Sequence, residues 1–286
     1  MEARSVEWSW RGQAISLGAT ISGSGPVVVL LPALSSISTR GEMRALQERL
    51  ARQHSTFCID WPGFGGQARP PLDWTPDVYS TFLSFILTSV VKQPHAIVAA
   101  GHAAGFALMQ AASKTTARLV LIAPTWRGPL PSMMGAHRPL FDRLCHLVDA
   151  PGVGPFIYWL NVNPFIILRM GAGHVFSDPA FLAGERLREK LAIVRAPGAR
   201  FASVRFVTGR LDPFIDREGF LDCARNAPVP ILVVYGSETP PKSRAEIEAL
   251  AALPGIRCVR LHQGKLSVHE EFPDATFEAI EPFLRK

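Results

Sequence analysis

The stretch that invites a chemical reading is VAAGHAAGFALMQAA, residues 98–112. An apolar run ends in Gly101-His102-Ala103-Ala104-Gly105, and a helix-like pattern follows. The spacing is that of G-x-S-x-G, the sharp strand-to-helix turn that presents a serine hydroxyl to a carbonyl. Alanine stands where the serine belongs, at Ala103. Such a turn needs small neighbours so that its tip can hold a strained conformation, and Gly101 and Gly105 supply that room. A methyl group cannot attack a carbonyl. Removing the serine of a Ser-His-Asp site costs roughly 10^6 in kcat, with roughly 10^3–10^4 over water left from binding and the oxyanion hole. His102 precedes the tip and should point elsewhere, and no cysteine lies nearby in sequence. The chain as written should be close to inert by a serine-ester route.

Other chemistries find less support. Cys58, Cys145, Cys223 and Cys258 are far apart, with no CxxC and no zinc-ligand spacing. Cys58 and Cys258 lie in strand-like runs and are expected to pack as small hydrophobes. With no metal pattern, dinucleotide fingerprint or P-loop, neither metal nor cofactor is implied. The net charge of +6 comes from scattered Lys and Arg, with no run of five, which argues against nucleic acid as a partner. Attraction to an anionic membrane surface stays open. Hydrophobic content of 48% against 19% charged fits a globular protein with a substantial core. The N-terminus MEARSVEWSWRG has no signal-peptide apolar core. The most apolar later run, GVGPFIYWLNVNPFIILRMG, is broken by two prolines and two asparagines, short of the roughly 20 uninterrupted apolar residues of a membrane span. A cytoplasmic protein in a reducing compartment is the expectation.

The elements around the turn alternate regularly. SVEWSW and AISLGATI read as an edge hairpin. VVVLLPA is a continuous apolar run, as a buried parallel strand should be. TRGEMRALQERLARQ reads as one amphipathic helix, STFCID as a strand, DVYSTFLSFILTSVV as a helix, AIVAAG as a strand, AGFALMQAAS as a helix and RLVLIAP as a strand. After Pro124 the rhythm breaks, and residues 126–200 are helix-like with many Pro and Gly. It returns with REGFLDCARN (helix), VPILVVYG (strand), KSRAEIEALAAL (helix, with a Ser243–Glu246 capping box), IRCVRLH (strand) and DATFEAIEPFL (helix). The fold class is α/β: a mostly parallel sheet flanked by helices, residues 1–125 and 201–286, with a helical insertion at 126–200.

This layout resembles the α/β-hydrolase fold along nearly the whole chain. Four segments carry the resemblance: VVVLLPALSS, DWPGFGGQARP, the GHAAG turn and VHEEFPDATFEAIEPFL. The second is similar to the family's D-x-P-G-x-G-x-S loop, with Gln67 where serine is common. The resemblance implies a nucleophile position at Ala103, with oxyanion donors from the amide of Ala104 and that of Ala33 or Leu34. It implies His269, the histidine of the terminal loop, as base. It departs from pattern there, since His269 lies only four residues before Pro273 and the usual place reads Gly264-Lys265-Leu266, with His262 at the strand end. The acid is irregular too. Glu238 lies after ILVVYG where an aspartate is usual, and Asp212 is the rival, unless it is a helix cap. A lone serine-to-alanine change would fit an inactivated chain. Three departures together fit a branch whose chemistry has moved.

In this fold an insertion after the strand that follows the turn forms a lid. This one is rich in aromatics and methionines, which suit an adaptable apolar pocket. Trp126, Met133, Phe156 and Trp159, with Trp61 and His102, are the residues expected to bind a hydrophobic small molecule. Arg127, Arg138 and Arg169 could meet a carboxylate or headgroup, or form a solvated face. The favoured function is a hydrolase of a hydrophobic ester, thioester or amide with its nucleophile replaced. The alternative is a non-hydrolytic protein on the same scaffold that binds an apolar ligand or uses a histidine base alone.

Overall fold

A computed structural model describes residues 1–67, 69–112 and 116–285. Eight strands form one sheet in the order β1-β2-β4-β3-β5-β6-β7-β8. β1 (Glu2–Trp10) and β2 (Gln13–Ser22) make the expected hairpin. Its two-residue turn, Arg11-Gly12, has both φ values positive, which matches the twist of the paired strands. β2 runs antiparallel to β4 (Ser55–Ile59). The remaining pairings are parallel, through β3 (Val27–Leu31), β5 (Ala96–Ala100), β6 (Leu119–Ile122), β7 (Ile231–Gly236) and β8 (Ile256–Leu261).

β5, β6 and β7 are buried along their whole length, which is why they read as unbroken apolar runs rather than alternating ones. Alternate residues feed two cores. Val29, Leu31, Ile97, Ala99 and Leu121 join the face covered by α2 (Pro76–Phe85) and α3 (Ala103–Ala112). Val28, Leu30, Val98, Ala100 and Ile122 join the face covered by α1 (Arg44–Leu50) and α13 (Pro273–Leu284). β8 is a largely exposed edge, so Cys258 is exposed, contrary to expectation, while Cys58 is buried as expected.

The helical stretch between β6 and β7 contains α4 (Pro129–Met134), α5 (Pro139–Asp149), α6 (Val153–Asn161), α7 (Pro164–Met170), α8 (Glu185–Arg195), α9 (Ala199–Thr208) and α10 (Arg217–Arg225). The expected boundary at residue 200 falls inside α9. α11 (Pro241–Ala251) and the single turn α12 (Val268–Glu271) complete the chain. Two local expectations change. The helix read over TRGEMRALQERLARQ is split into a tight turn at Arg40–Met43, capped by Thr39, and α1. Ser243 lies inside α11 rather than capping it, because the prolines at 240 and 241 start the helix earlier. The last residue of the helix read over AGFALMQAAS, Ser113, lies outside the described residues.

β3 pairs with β4 on one side and β5 on the other, so the strand order reverses beside it. In open α/β sheets the crevice outside the strand ends at such a reversal is where ligands bind. Two segments leave the sheet there: Pro32-Ala33-Leu34 after β3 and Gly101-His102 after β5.

Candidate functional site

The turn after β5 crests at Gly101, two residues before Ala103. Gly101 has φ +52, and its N–H donates to the Ile122 carbonyl at 2.9 Å. Its own carbonyl accepts from the amides of Ala104 at 3.2 Å and Thr125 at 3.1 Å. Ala103 is the first residue of α3, sits outside the left-handed region and is wholly buried. Placing the tip at Ala103 is therefore corrected to Gly101. The physical reason is the sign of φ, which glycine tolerates at the crest and alanine resists. Gly105 is small for a different reason. A Cβ there would lie 2.6 Å from Pro213 Cγ, so it allows close packing against that loop. The small residues flanking the true tip are Ala99 and Ala103.

A Cβ at Gly101 would lie 3.2 Å from the Ala33 Cβ, so the crest faces the loop after β3. Of the expected oxyanion donors, Ala33 is already engaged. Its N–H donates to Glu42 Oε1 at 2.6 Å. The Ala104 N–H closes the turn onto Gly101. Leu34 N–H has no partner among the described residues, nor does the N–H of His102, the amide that follows the crest.

Glu42 is the residue that sequence reasoning missed. It looked like one polar position of an amphipathic helix. Instead it is buried in the Arg40–Met43 turn, and His269 Nε2 lies 3.3 Å from the Oε1 that holds Ala33. Burial pushes the Glu42 carboxyl up. The hydrogen bond and charge of His269, the charge of Lys190 and the Ser38 hydroxyl more than offset it, leaving the carboxyl below its ordinary value. Lys190 of α8 in turn pairs with Glu270 at 3.0 Å, next to His269. His269 is 0% exposed, and its Nδ1 has no protein partner among the described residues.

The two proposed acids do not reach His269. Glu238 is exposed, its side chain makes no hydrogen bond among the described residues, and its amide donates to the Gly264 carbonyl at 3.1 Å. The reason is the turn after β7, which points residue 238 outward while Thr239 folds in to donate to the Gly236 carbonyl at 2.7 Å. Lys265 donates its ammonium to the Ala172 carbonyl at 2.5 Å.

Asp212 meets the other histidine. Its Oδ1 accepts from the Gly128 amide at 2.8 Å and lies 3.4 Å from His102 Nε2, which also bonds the Leu211 carbonyl at 3.2 Å. Burial pushes the Asp212 carboxyl up to about 8, against the pull of the Gly128 amide and the Arg127 charge. Burial also lowers His102 to about 4, with the Leu211 carbonyl opposing. Near neutral pH both are uncharged, so the contact is a neutral one rather than an ion pair. His102 is thus a buried link between the crest and the segment after α9.

The apolar candidates scatter. Trp61 is a core residue. Its Nε1 donates to the Pro32 carbonyl at 2.8 Å, and its ring lies 6.0 Å from both Tyr79 and Phe82. Met133, Phe156 and Trp159 are exposed, because α4 buries only Pro131 and α6 only Gly154. Trp126 is buried, with Nε1 donating to Glu246 at 3.0 Å and the Arg127 guanidinium 4.4 Å from its ring centroid. It helps line a cavity of about 220 Å³ with Arg127, Ser132, Lys242 and Glu246. A cavity of about 330 Å³ lies at the β8 edge, lined by residues including His262, Phe272 and Glu278. Neither is lined by Gly101, Ala103, Glu42 or His269. Among the described residues no group of three or more His, Cys, Asp or Glu is placed to hold a metal ion.

Chemically, the crest is a sharp strand-to-helix turn whose glycine offers no nucleophile. Of the amides around it, that of Ala33 already binds a carboxylate, while those of Leu34 and His102 have no partner among the described residues.

Comparison with known proteins accords with this architecture. A model of the alpha/beta hydrolase family matches residues 28–279. The sequence matches no curated protein. Among solved structures, the chain is similar to a hydrolase from Pseudomonas aeruginosa, at 20% identity over 99% of this chain and 98% of that one, with a TM-score of 0.72. It is similar to a thermophilic esterase from Thermogutta terrifontis at 19% identity, covering 99% and 98%, with a TM-score of 0.71. It is also similar to a haloalkane dehalogenase from Agrobacterium tumefaciens at 17% identity, covering 99% and 96%, with a TM-score of 0.72. At these identities the structural likenesses speak for the fold alone. With the family model spanning most of its length and the sheet order that of its fold, the chain belongs to the α/β hydrolase family.

Proposed function

We propose that this chain is a non-hydrolytic member of its family, a protein that binds an apolar ligand on the hydrolase scaffold instead of cleaving it. One observation carries the non-hydrolytic half of this reading. The crest residue is glycine, and the amide facing it is held by the buried Glu42 carboxylate. A serine placed there would meet histidines whose Nε2 atoms are already engaged. His269 is turned to Glu42 and His102 to Leu211. The replaced-nucleophile hydrolase is the lesser reading, because it requires both a nucleophile at the crest and an imidazole released from its present partner.

The test is the Gly101→Ser variant assayed on p-nitrophenyl esters from acetate to decanoate. The expected result is no turnover above the uncatalysed rate. Turnover that disappears again on adding His269→Ala would return the hydrolase reading. Mass spectrometry of organic extracts from the purified protein tests the binding half. An apolar compound recovered in stoichiometric amount is expected, and its consistent absence counts against ligand binding.

A further inference from the structure

The outer face of the insertion carries apolar side chains where a water-facing helix normally carries charge. On α6, Val153, Phe156, Trp159 and Leu160 fall on one side of the helix, and all are exposed, Phe156 by 59% and Trp159 by 54%. The Phe156 and Trp159 rings stack at 6.3 Å between centroids. On α7, Phe165, at 71% exposure, shares a side with Leu168 and Arg169. On α5, Leu140, Arg143, His146 and Leu147 share the outward side, opposite the buried Phe141, Cys145 and Val148. Large aromatic and aliphatic side chains exposed on three consecutive helices, of which α5 and α6 pack together, mark an interaction surface.

Charge identifies the occupant. Residues 150–177 contain no Asp or Glu. The two carboxylates just before them are already neutralised. Asp149 takes both Arg205 nitrogens, at 3.0 and 2.8 Å, and Asp142 pairs with Arg210 at 2.6 Å. Arg138, Arg143 and Arg169 are exposed and have no acidic partner among the described residues. The patch therefore presents aromatic and aliphatic groups beside uncompensated guanidinium charge. That is the complement of an anionic lipid surface, where apolar side chains enter the acyl boundary and arginines meet headgroup phosphates. The helices lie on such a surface rather than through it. α6 has nine residues, and no described helix is long and apolar enough to cross a membrane.

We infer that the α5–α7 face docks on membranes bearing anionic phospholipid, with Phe156, Trp159 and Phe165 inserted and Arg138, Arg143 and Arg169 at the headgroups. The inference stands apart from the proposed function, since it needs nothing from Gly101. The test is flotation of the full chain with extruded vesicles of phosphatidylcholine alone or with about 30 mol% phosphatidylglycerol. The chain floats with the anionic vesicles, and the double variant Phe156→Ser/Trp159→Ser lowers the partition at least about tenfold. The triple variant Arg138→Gln/Arg143→Gln/Arg169→Gln removes the preference for phosphatidylglycerol and the sensitivity to salt. All substituted side chains are exposed, so unchanged thermal melts verify the fold of each variant. Failure to float with anionic vesicles overturns the inference. So does equal flotation of the wild type and the Phe156/Trp159 variant, or a wild-type dimer in solution that ignores vesicles and dissociates on those same substitutions, which would assign the face to a second copy.

Discussion

Asp212→Asn tests the electrostatics behind the crest. In the folded chain the carboxyl keeps its proton up to about pH 8, against an ordinary value of 3.8. Between those values folding takes up a proton. The contribution of Asp212 to stability is thus complete below the unfolded value and is lost as pH rises through about 8. From pH 6.5 to 9 the loss amounts to about 2 kcal/mol, at about 1.4 kcal/mol per pH unit and levelling off above the folded value. His102 acts with the opposite sign in a lower window. Its folded value of about 4 lies below the ordinary 6.5, so its contribution is present above 6.5 and lost as pH falls towards 4. Above pH 6.5 Asp212 is therefore free of that opposing slope, and subtracting the variant removes other groups such as the buried thiols. Asn mimics the neutral acid in shape and can still accept from the Gly128 amide. In urea unfolding at constant ionic strength, the stability of D212N relative to the wild type should rise by about 2 kcal/mol between pH 6.5 and pH 9, and the two should converge only as pH falls towards the ordinary carboxylate value. Parallel stability curves would refute the reasoning. So would a D212N deficit of several kcal/mol at pH 6.5, which would mean a charged His102–Asp212 pair had been broken.

Glu42→Ala leaves the Ala33 amide and His269 without their partner and should cost about 3–5 kcal/mol in urea unfolding. The folded Glu42 carboxyl lies below its ordinary 4.5, so its contribution is present above that value and lost as pH falls below it. Wild-type stability should drop more steeply in acid than that of Glu42→Gln. Ala103→Ser places a hydroxyl in a fully buried first turn of α3. It should cost about 1 kcal/mol in the same assay and produce no esterase activity, whereas measurable turnover would restore Ala103 as the nucleophile position. Trp126→Phe should lose about 1 kcal/mol with its bond to Glu246, and Trp126→Ala about 3–5 kcal/mol, as read from denaturant midpoints.

The fold was legible for simple reasons. Parallel strands buried on both faces leave unbroken apolar runs, as VVVLL and ILVVYG do, and the helices between them repeat at a different period. The candidate site was legible only in outline. GHAAG announced a tight turn but contains two glycines with two different duties. One takes a positive φ and one makes room for Pro213, and spacing alone does not separate them. Glu42 gave no signal, because a single carboxylate in an amphipathic pattern reads as solvent-facing. Its environment depends on Ala33, from the loop after β3, and on His269 and Lys190, which arrive from distant parts of the chain. The aromatics of the insertion were visible as a class. Their outward direction was not, since the same periodicity serves a helix that buries its apolar side and one that exposes it.

Periodicity and local turn chemistry, which act over a few residues, were therefore enough for the α/β class, the strand succession and the absence of a serine at the turn. Which atom crowns that turn, which carboxylate occupies the facing amide and which histidine meets which acid depended on contacts between residues far apart in the chain. Those pairings are settled by burial and by the cost of leaving a polar group unpaired in the interior, and both are properties of the assembled fold.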